Sequence, residues 1–263
     1  MPSDNQISIP DPLAAAYWQW RWTVVSCYPR QITWRVARDT TVRYLKVGLH
    51  GNYPGLRGEA ERLGWAATYL PVPDVVDVGT DGTVEWLVTA GLAGRPATDP
   101  ALGEPRAVVV TWAEGLRAFH EAAPVGDCPF DFRLDTALDH VRRRVAAGTV
   151  DPAEDFNEDH RHLRSATAAL DELQRRRPAS EDLVICHGDY CPPNALLRGG
   201  RVIGYVDVGE LAVADRWWDL AVATWSTTWN FGPGLEPLFL AAYGADPDPD
   251  RQAFYRLLYD LAS

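Results

Sequence analysis

Three polar side chains could do chemistry together. Asp189 and Asn194 stand in Cys186-His187-Gly188-Asp189-Tyr190-Cys191-Pro192-Pro193-Asn194, and Asp207 in Val206-Asp207-Val208-Gly209. Val184 and Ile185 lead into the first stretch as a short strand. The apolar runs 195–197 and 202–206 flank Gly199-Gly200, a turn signal that reads as a hairpin. The pattern predicts Asp189 and Asn194 on a loop, with Asp207 leaving a hairpin strand and directed back at that loop. Phosphoryl transfer needs this set. One carboxylate accepts or orients the proton of the attacking hydroxyl. An amide and a second carboxylate hold Mg²⁺ on a nucleoside triphosphate, where the metal neutralises charge on the bridging oxygens. Any one of these residues alone would be an ordinary Asx-rich turn, but their order and spacing make the joint pattern specific.

The same spacing carries the protein-kinase signature, with Gly188 in place of an Arg and Val208 in place of a Phe. More closely, the chain resembles the aminoglycoside phosphotransferases, particularly the 3′-type enzymes. The resemblance rests on His187-Gly188-Asp189 with Asn194, on Gly204-Tyr205-Val206-Asp207-Val208-Gly209 and on Ala214-Asp215-Arg216-Trp217-Trp218-Asp219-Leu220. It continues through Tyr44-Leu45-Lys46, Leu70-Pro71-Val72-Pro73, Trp86-Leu87-Val88-Thr89 and Asp127-Cys128-Pro129-Phe130. It implies an α+β, bilobal protein-kinase-like fold, with a small antiparallel-sheet N-lobe and a larger, mainly helical C-lobe. It also implies ATP or GTP as phosphate donor, Mg²⁺ on Asn194 and Asp207, Asp189 as the catalytic carboxylate, and Lys46 on the phosphates.

The elements that must position these residues follow from hydrophobic period. Runs 22–28, 32–37 and 42–47 are β-rich and predict an antiparallel meander that closes on Lys46. Residues 56–70 have helical period, with Leu56, Ala60, Leu63 and Ala67 on a stripe and Glu59 and Glu61 in the first turns. The resemblance picks Glu59 to pair with Lys46, while Glu61 suits solvent near the helix dipole. Strands are expected at 72–78 and 84–92 around Thr80-Asp81-Gly82. The second runs into Thr89-Ala90-Gly91 and then Gly94, an extended linker whose backbone groups at Thr89 and Gly91 could bond a purine edge. The family typically has an acid where Ala90 stands; a backbone contact does not need it, and the choice of ATP or GTP does not follow. The turn at 26–31 lacks the glycines of a kinase Gly-rich loop, and Arg30 could supply charge there. Helices are expected at 104–122, with Trp112, Leu116 and Phe119 in the core, and at 134–147, ending at Gly148. Others follow at 158–177, 217–228, 234–243 and 250–261. Residues 1–16 read as a lead-in or short helix. The expected organisation is a nucleotide-binding lobe at 1–91, a linker near 89–94, and a catalytic and acceptor-binding lobe at 92–263, with the chemistry in the cleft between.

Composition narrows the partners. Of 263 residues, 46% are hydrophobic, so the chain can bury a sizeable core. No apolar run approaches the roughly 18 residues of a membrane helix, and no signal-peptide pattern is visible. Acids outnumber bases 36 to 25, for a net charge of −11, which disfavours nucleic acid as a partner. Cys27, Cys128, Cys186 and Cys191 lack metal-ligand spacing, and Cys186 and Cys191 read as packing residues. A reducing cytoplasm, no membrane, and a monomer or weak dimer are the expectation. Asp219 is expected to be a buried carboxylate bonding the catalytic loop, and His187 a structural hydrogen-bonding residue.

The acceptor is where the chain departs from the resemblance. The 150–159 loop keeps acids, and Glu154, Asn157 and Glu158 are candidate acceptor contacts. Between Asp219 and Glu236 there is no acid; Trp225, Trp229 and Phe231 stand there instead. Glu210, a further candidate acceptor contact, occupies a position where the family has Arg, and the family's acidic, aromatic C-terminus is replaced by 258–263. Family likeness implies an aminoglycoside as the antibiotic acceptor. The aromatics also suit stacking on a sugar hydroxyl-bearing nucleoside or peptide antibiotic, although indole faces also take cations and Trp225 and Trp229 are equally compatible with core packing. Choline- or homoserine-like acceptors and a nucleotide-binding pseudokinase are the remaining readings.

Overall fold

The computed structural model describes residues 7–51 and 55–262. Residues 1–6 of the expected lead-in and the terminal Ser263 lie outside the described residues. The chain divides into two compact units. One comprises the described residues through Gly94 together with Gly204–Glu210. The other comprises Arg95–Ile203 and the described residues from Leu211 onward.

The first unit contains helix α1 (Asp11–Ala16), strands β1 (Arg21–Tyr28), β2 (Gln31–Arg38) and β3 (Thr41–Leu49), helix α2 (Leu56–Ala66), and strands β4 (Val75–Thr80) and β5 (Val84–Ala90). The strands form one antiparallel sheet in the order β1-β2-β3-β5-β4. Successive side chains of a strand point to opposite faces. Leu45 and Val47 join Leu13, Trp34, Val36, Trp86 and Val88 in one buried cluster. Lys46, between Leu45 and Val47, therefore points to the other face, which α2 covers. The α2 stripe differs from the expected one. Leu56, Glu59, Leu63 and Ala66 are its buried residues, in place of Ala60 and Ala67. The helix is turned by about one residue, which brings the Glu59 carboxylate inward to the lysine.

Two strand boundaries also move. Ser26 and Cys27 pair with Thr33 and Ile32, so the β1–β2 connection is a tight turn at Pro29-Arg30, with a bulge between Val24 and Ser26. Strand β4 starts at Val75 because Pro71 and Pro73 have no N–H to give a ladder.

The second unit begins with strand β6 (Arg95–Pro96) and helices α3 (Pro105–Glu121), α4 (Leu134–Ala147) and α5 (Ala166–Arg175). Strands β7 (Leu183–Cys186), β8 (Ala195–Arg198), β9 (Arg201–Tyr205, whose last two residues count with the first unit) and β10 (Ala212–Asp215) follow. Helices α6 (Trp217–Phe231), α7 (Glu236–Tyr243) and α8 (Pro249–Ala262) end it. Strand β7 pairs antiparallel with β10, and β8 lies between β6 and β9. The hairpin turn uses Gly199 and Gly200 at φ 62° and 74°, the left-handed pair that a two-residue turn between twisted strands requires. Helix α6 is buried on every side from Trp217 to Thr227, as its lack of acids after Asp219 allows. Trp112, Leu116 and Phe119 of α3 are fully buried, as expected.

The single helix expected over 158–177 is not formed. A short 3₁₀ turn spans Glu158–His160, and α5 starts only at Ala166. Ser165 caps it, its Oγ accepting the Ala168 N–H at 3.1 Å. Upstream, Asn157 and His160 are drawn to the buried Asp260 of α8, which accepts the Asn157 N–H at 2.9 Å and meets His160 Nδ1 at 2.7 Å. Helix α6 runs three residues past its expected end, to Phe231, and α7 starts at Glu236 because Gly234 sits at φ 92°.

Candidate active site

In the first unit the alternation of β3 delivers Lys46 to α2. Its Nζ donates to Glu59 Oε1 at 2.7 Å and Oε2 at 2.9 Å, the pairing expected from the sequence. It also donates to Asp207 Oδ1 at 2.6 Å. The lysine side chain is 14% exposed and that of Asp207 46%. Burial works against the ammonium, but the Asp207 and Glu59 carboxylates outweigh it and hold the lysine pKa above its usual value. Burial pushes Glu59 up, with Lys46 opposing. One ammonium thus faces two carboxylates. Asp207 itself sits at φ 62°, in the left-handed region, an outlier of the kind that concentrates at functional positions.

Thr89 is paired within β5, opposite Tyr44 and Val75. The Gly91 N–H donates to Val42 O at 3.0 Å, and the Ala90 N–H to Asp74 O at 2.9 Å. A Cβ on Gly91 would stand 2.9 Å from Val42 Cβ, so this close approach requires glycine. Those N–H groups are committed within the protein. Glu210 is half-buried in the 204–210 segment.

In the second unit the catalytic loop is built around Asp219, which is fully buried at the start of α6. One of its oxygens accepts the His187 N–H at 2.6 Å and the other the Gly188 N–H at 2.8 Å. His120 Nε2 lies 2.9 Å from the first oxygen, and His120 Nδ1 lies 2.8 Å from the Tyr243 hydroxyl. His187 is buried against Phe119 and Tyr190, and its Nδ1 accepts the Asp189 N–H at 3.3 Å. Both structural roles expected of Asp219 and His187 are met. Tyr190 ties the loop to α3, donating to Trp112 O at 2.9 Å with its ring stacked on the indole. The Cys186 thiol comes within 4.8 Å of both His120 and Asp219, but burial holds its pKa well above the ordinary value, so it stays a protonated packing group.

On this frame the Asp189 carboxylate collects side-chain donors. Asn194 Nδ2 donates to Asp189 O at 2.9 Å and to Oδ2 at 3.1 Å. Oδ1 accepts from the Cys191 thiol at 3.0 Å and from the Tyr259 hydroxyl at 3.3 Å. Sequence reasoning treated Cys191 as packing and assigned Tyr259 nothing. The first could have been flagged by its place inside the loop; no local signal marks the second, 70 positions away.

The acceptor candidates separate. Glu154 and Glu158 are exposed on the 150–159 loop. Asn157 is turned inward to Asp260. Trp225 is only 5% exposed; it gives its Nε1–H to Asp159 at 2.9 Å and lies under the Arg256 guanidinium. Trp229 stacks on it and is 52% exposed. Trp225 is therefore core and Trp229 surface.

The first unit holds a lysine between a helix glutamate and an aspartate leaving a hairpin, and the second a loop aspartate and asparagine, the residue types that a phosphotransferase of kinase type uses. Residues 30–255 match the Phosphotransferase enzyme family, and the chain belongs to it. It is 47% identical over 212 residues to an aminoglycoside 3′-phosphotransferase of Streptomyces fradiae, covering 77% of this chain and 78% of that one. It is 35% identical over 232 residues to a streptomycin 3″-kinase of Streptomyces griseus, covering 83% and 84%. Among solved structures it is similar to an aminoglycoside-3′-phosphotransferase of type VIII, with a TM-score of 0.82, 37% identity and 95% and 98% coverage. It is also similar to the phosphotransferase APH(3″)-Id of Streptomyces rimosus solved with ADP and streptomycin, with a TM-score of 0.75, 29% identity and 92% coverage of each chain. The α+β, kinase-like fold class expected from the sequence holds. Among the described residues no helix is long and apolar enough to cross a membrane.

Proposed function

We propose that this protein transfers the γ-phosphate of ATP or GTP to a hydroxyl of an aminoglycoside antibiotic. The observation that carries the reading is the Asp189 carboxylate, fixed by donors on a loop that Asp219 holds from beneath. Asp189 orients the acceptor hydroxyl and takes its proton. Lys46, kept charged by Glu59 and Asp207, serves the donor phosphates. Catalysis of this kind is mainly positioning and electrostatics. The relatives named as aminoglycoside phosphotransferases supply the acceptor class.

The residues present fit Mg²⁺. The cation takes oxygen ligands, and both Asp207 and Asn194 offer them. Asn194 spends its Nδ2 on Asp189, which turns Oδ1 into the ligating atom. The Lys46 group carries one carboxylate in excess, a charge that a divalent cation offsets. When bound, the metal screens the phosphate oxygens during transfer.

A second reading keeps the chemistry and changes the acceptor to the sugar hydroxyl of a less cationic antibiotic. The observation in its favour is that Asp159, Glu236 and Asp260 are already engaged by Arg256, Gln252, Asn157 and His160, while Trp229 is exposed beside them. The test is Mg²⁺-dependent phosphate transfer read by mass spectrometry, with both nucleotides. Kanamycin-like aminoglycosides and sugar-bearing nucleoside antibiotics form the panel. A one-phosphate mass gain on the aminoglycosides supports the main reading. A gain only on the nucleoside antibiotics replaces it with the second.

A further inference from the structure

Asp189 is held by two donors outside the Asp189, Asn194 and Asp207 set. Cys191, two residues on, points its thiol at Oδ1 from 3.0 Å, and the same sulfur lies 3.1 Å from Ser226 Oγ on α6. Tyr259, in the last turns of α8, reaches the same oxygen with its hydroxyl at 3.3 Å. Its ring is fixed against Trp218, 5.7 Å between centroids, and Trp218 in turn packs on Phe132. Two helices therefore address one carboxylate oxygen, α6 through the Ser226–Cys191 pair and α8 through Tyr259. Asn194 holds the other oxygen.

We infer that Cys191 and Tyr259 are positioning residues for the phosphotransfer, orienting the Asp189 carboxylate by donating to Oδ1. The inference deepens the proposed function and rests on Asp189 being the group that receives the acceptor proton. Physical reasons give it content. A carboxylate swings freely about its Cα–Cβ and Cβ–Cγ bonds, and catalysis needs it held within a fraction of an ångström. A thiol is a weak donor, and a phenol at 3.3 Å is a long one. Coming from two different elements, the pair fixes the direction of one carboxylate oxygen. Ser226 Oγ, 3.1 Å from the sulfur, can donate to it and leave the thiol hydrogen to the aspartate.

The test uses Tyr259→Phe, Cys191→Ala and Cys191→Ser in the full chain. Tyr259→Phe removes only the hydroxyl and leaves the ring on Trp218; Cys191→Ser restores a donor at the same place. For the first two, kcat is expected to fall about tenfold each, the size of one donor to a charged group, with the KM for nucleotide unchanged. Cys191→Ser is expected to keep most of the activity. Wild-type kcat in both Tyr259→Phe and Cys191→Ala would overturn the inference, as would a raised KM for nucleotide that accounts for the loss, or Cys191→Ser behaving no better than Cys191→Ala. Wild-type turnover in Asp189→Asn would overturn the proton-accepting reading instead.

Discussion

Two regions of the molecule hold carboxylates by opposite means. In the first unit Glu59 and Asp207 are held by a charge, the ammonium of Lys46. In the second, Asp219 and Asp189 are held mainly by dipoles: backbone N–H groups, an amide, a thiol and a phenol. The difference suits the two tasks proposed for them. A lysine that serves phosphates must exchange its partners when nucleotide arrives, and ion pairs rearrange without leaving an unpaired amide behind. A carboxylate that accepts a proton must stay put through the reaction, and fixed donors hold direction better than a point charge on a long stem.

Substitutions can break that comparison. The largest effect is expected from Asp189→Asn, which keeps the shape and removes the basicity. It should lower kcat by about 10²–10⁴-fold with nucleotide binding retained, as measured by transfer kinetics and calorimetry. Next comes Asp219→Ala. It strands two buried loop N–H groups and His120, so a stability loss on the order of 3–5 kcal/mol is expected, seen as a Tm lower by about 10 °C. An unchanged Tm would mean that the loop does not depend on that carboxylate. Gly115→Ala is expected to be milder. Its Cβ would meet Val202 Cγ2 at 2.3 Å and the Tyr190 hydroxyl at 3.1 Å, where α3 packs against the hairpin and loop. Overpacking of about 1–3 kcal/mol should outweigh the gain of about 1 kcal/mol from helix propensity, and denaturant midpoints decide the sign.

The smallest effect separates the regions by pH. The Lys46 pKa is raised above its usual 10.5, with burial opposed by Asp207 and Glu59. A raised folded-state pKa gives stability that is whole below the unfolded value and drains away as pH climbs through the folded one. Wild type should therefore lose, above about pH 10.5, an increment of stability that Lys46→Met lacks. Unfolding free energies of the two that stay parallel above that pH would show that the lysine is not held charged as described.

How much of this was legible depended on whether the partner was near in sequence. The hairpin was readable because Gly199-Gly200 interrupts two apolar runs, and α4 because its period stops at Gly148. Lys46 was readable as the lysine closing the third β-rich run, and Asp219 as an acid entering an apolar helix. The break in 158–177 was not readable, because it is set by Asp260, which pulls Asn157 and His160 out of helical register from 103 and 100 positions away. The α2 stripe was misplaced for the same reason, since Glu59 turns inward for a lysine on another strand. Hydrophobic period places elements, but it is blind to a buried polar group whose partner lies in a different element.

The grip of α8 on distant residues also has a consequence in time. Tyr259 reaches Asp189 across 70 positions of chain. A ribosome adding 5–20 residues per second finishes the catalytic loop about 4–14 s before it supplies that hydroxyl. Until then the nascent chain carries Asp189 without that support.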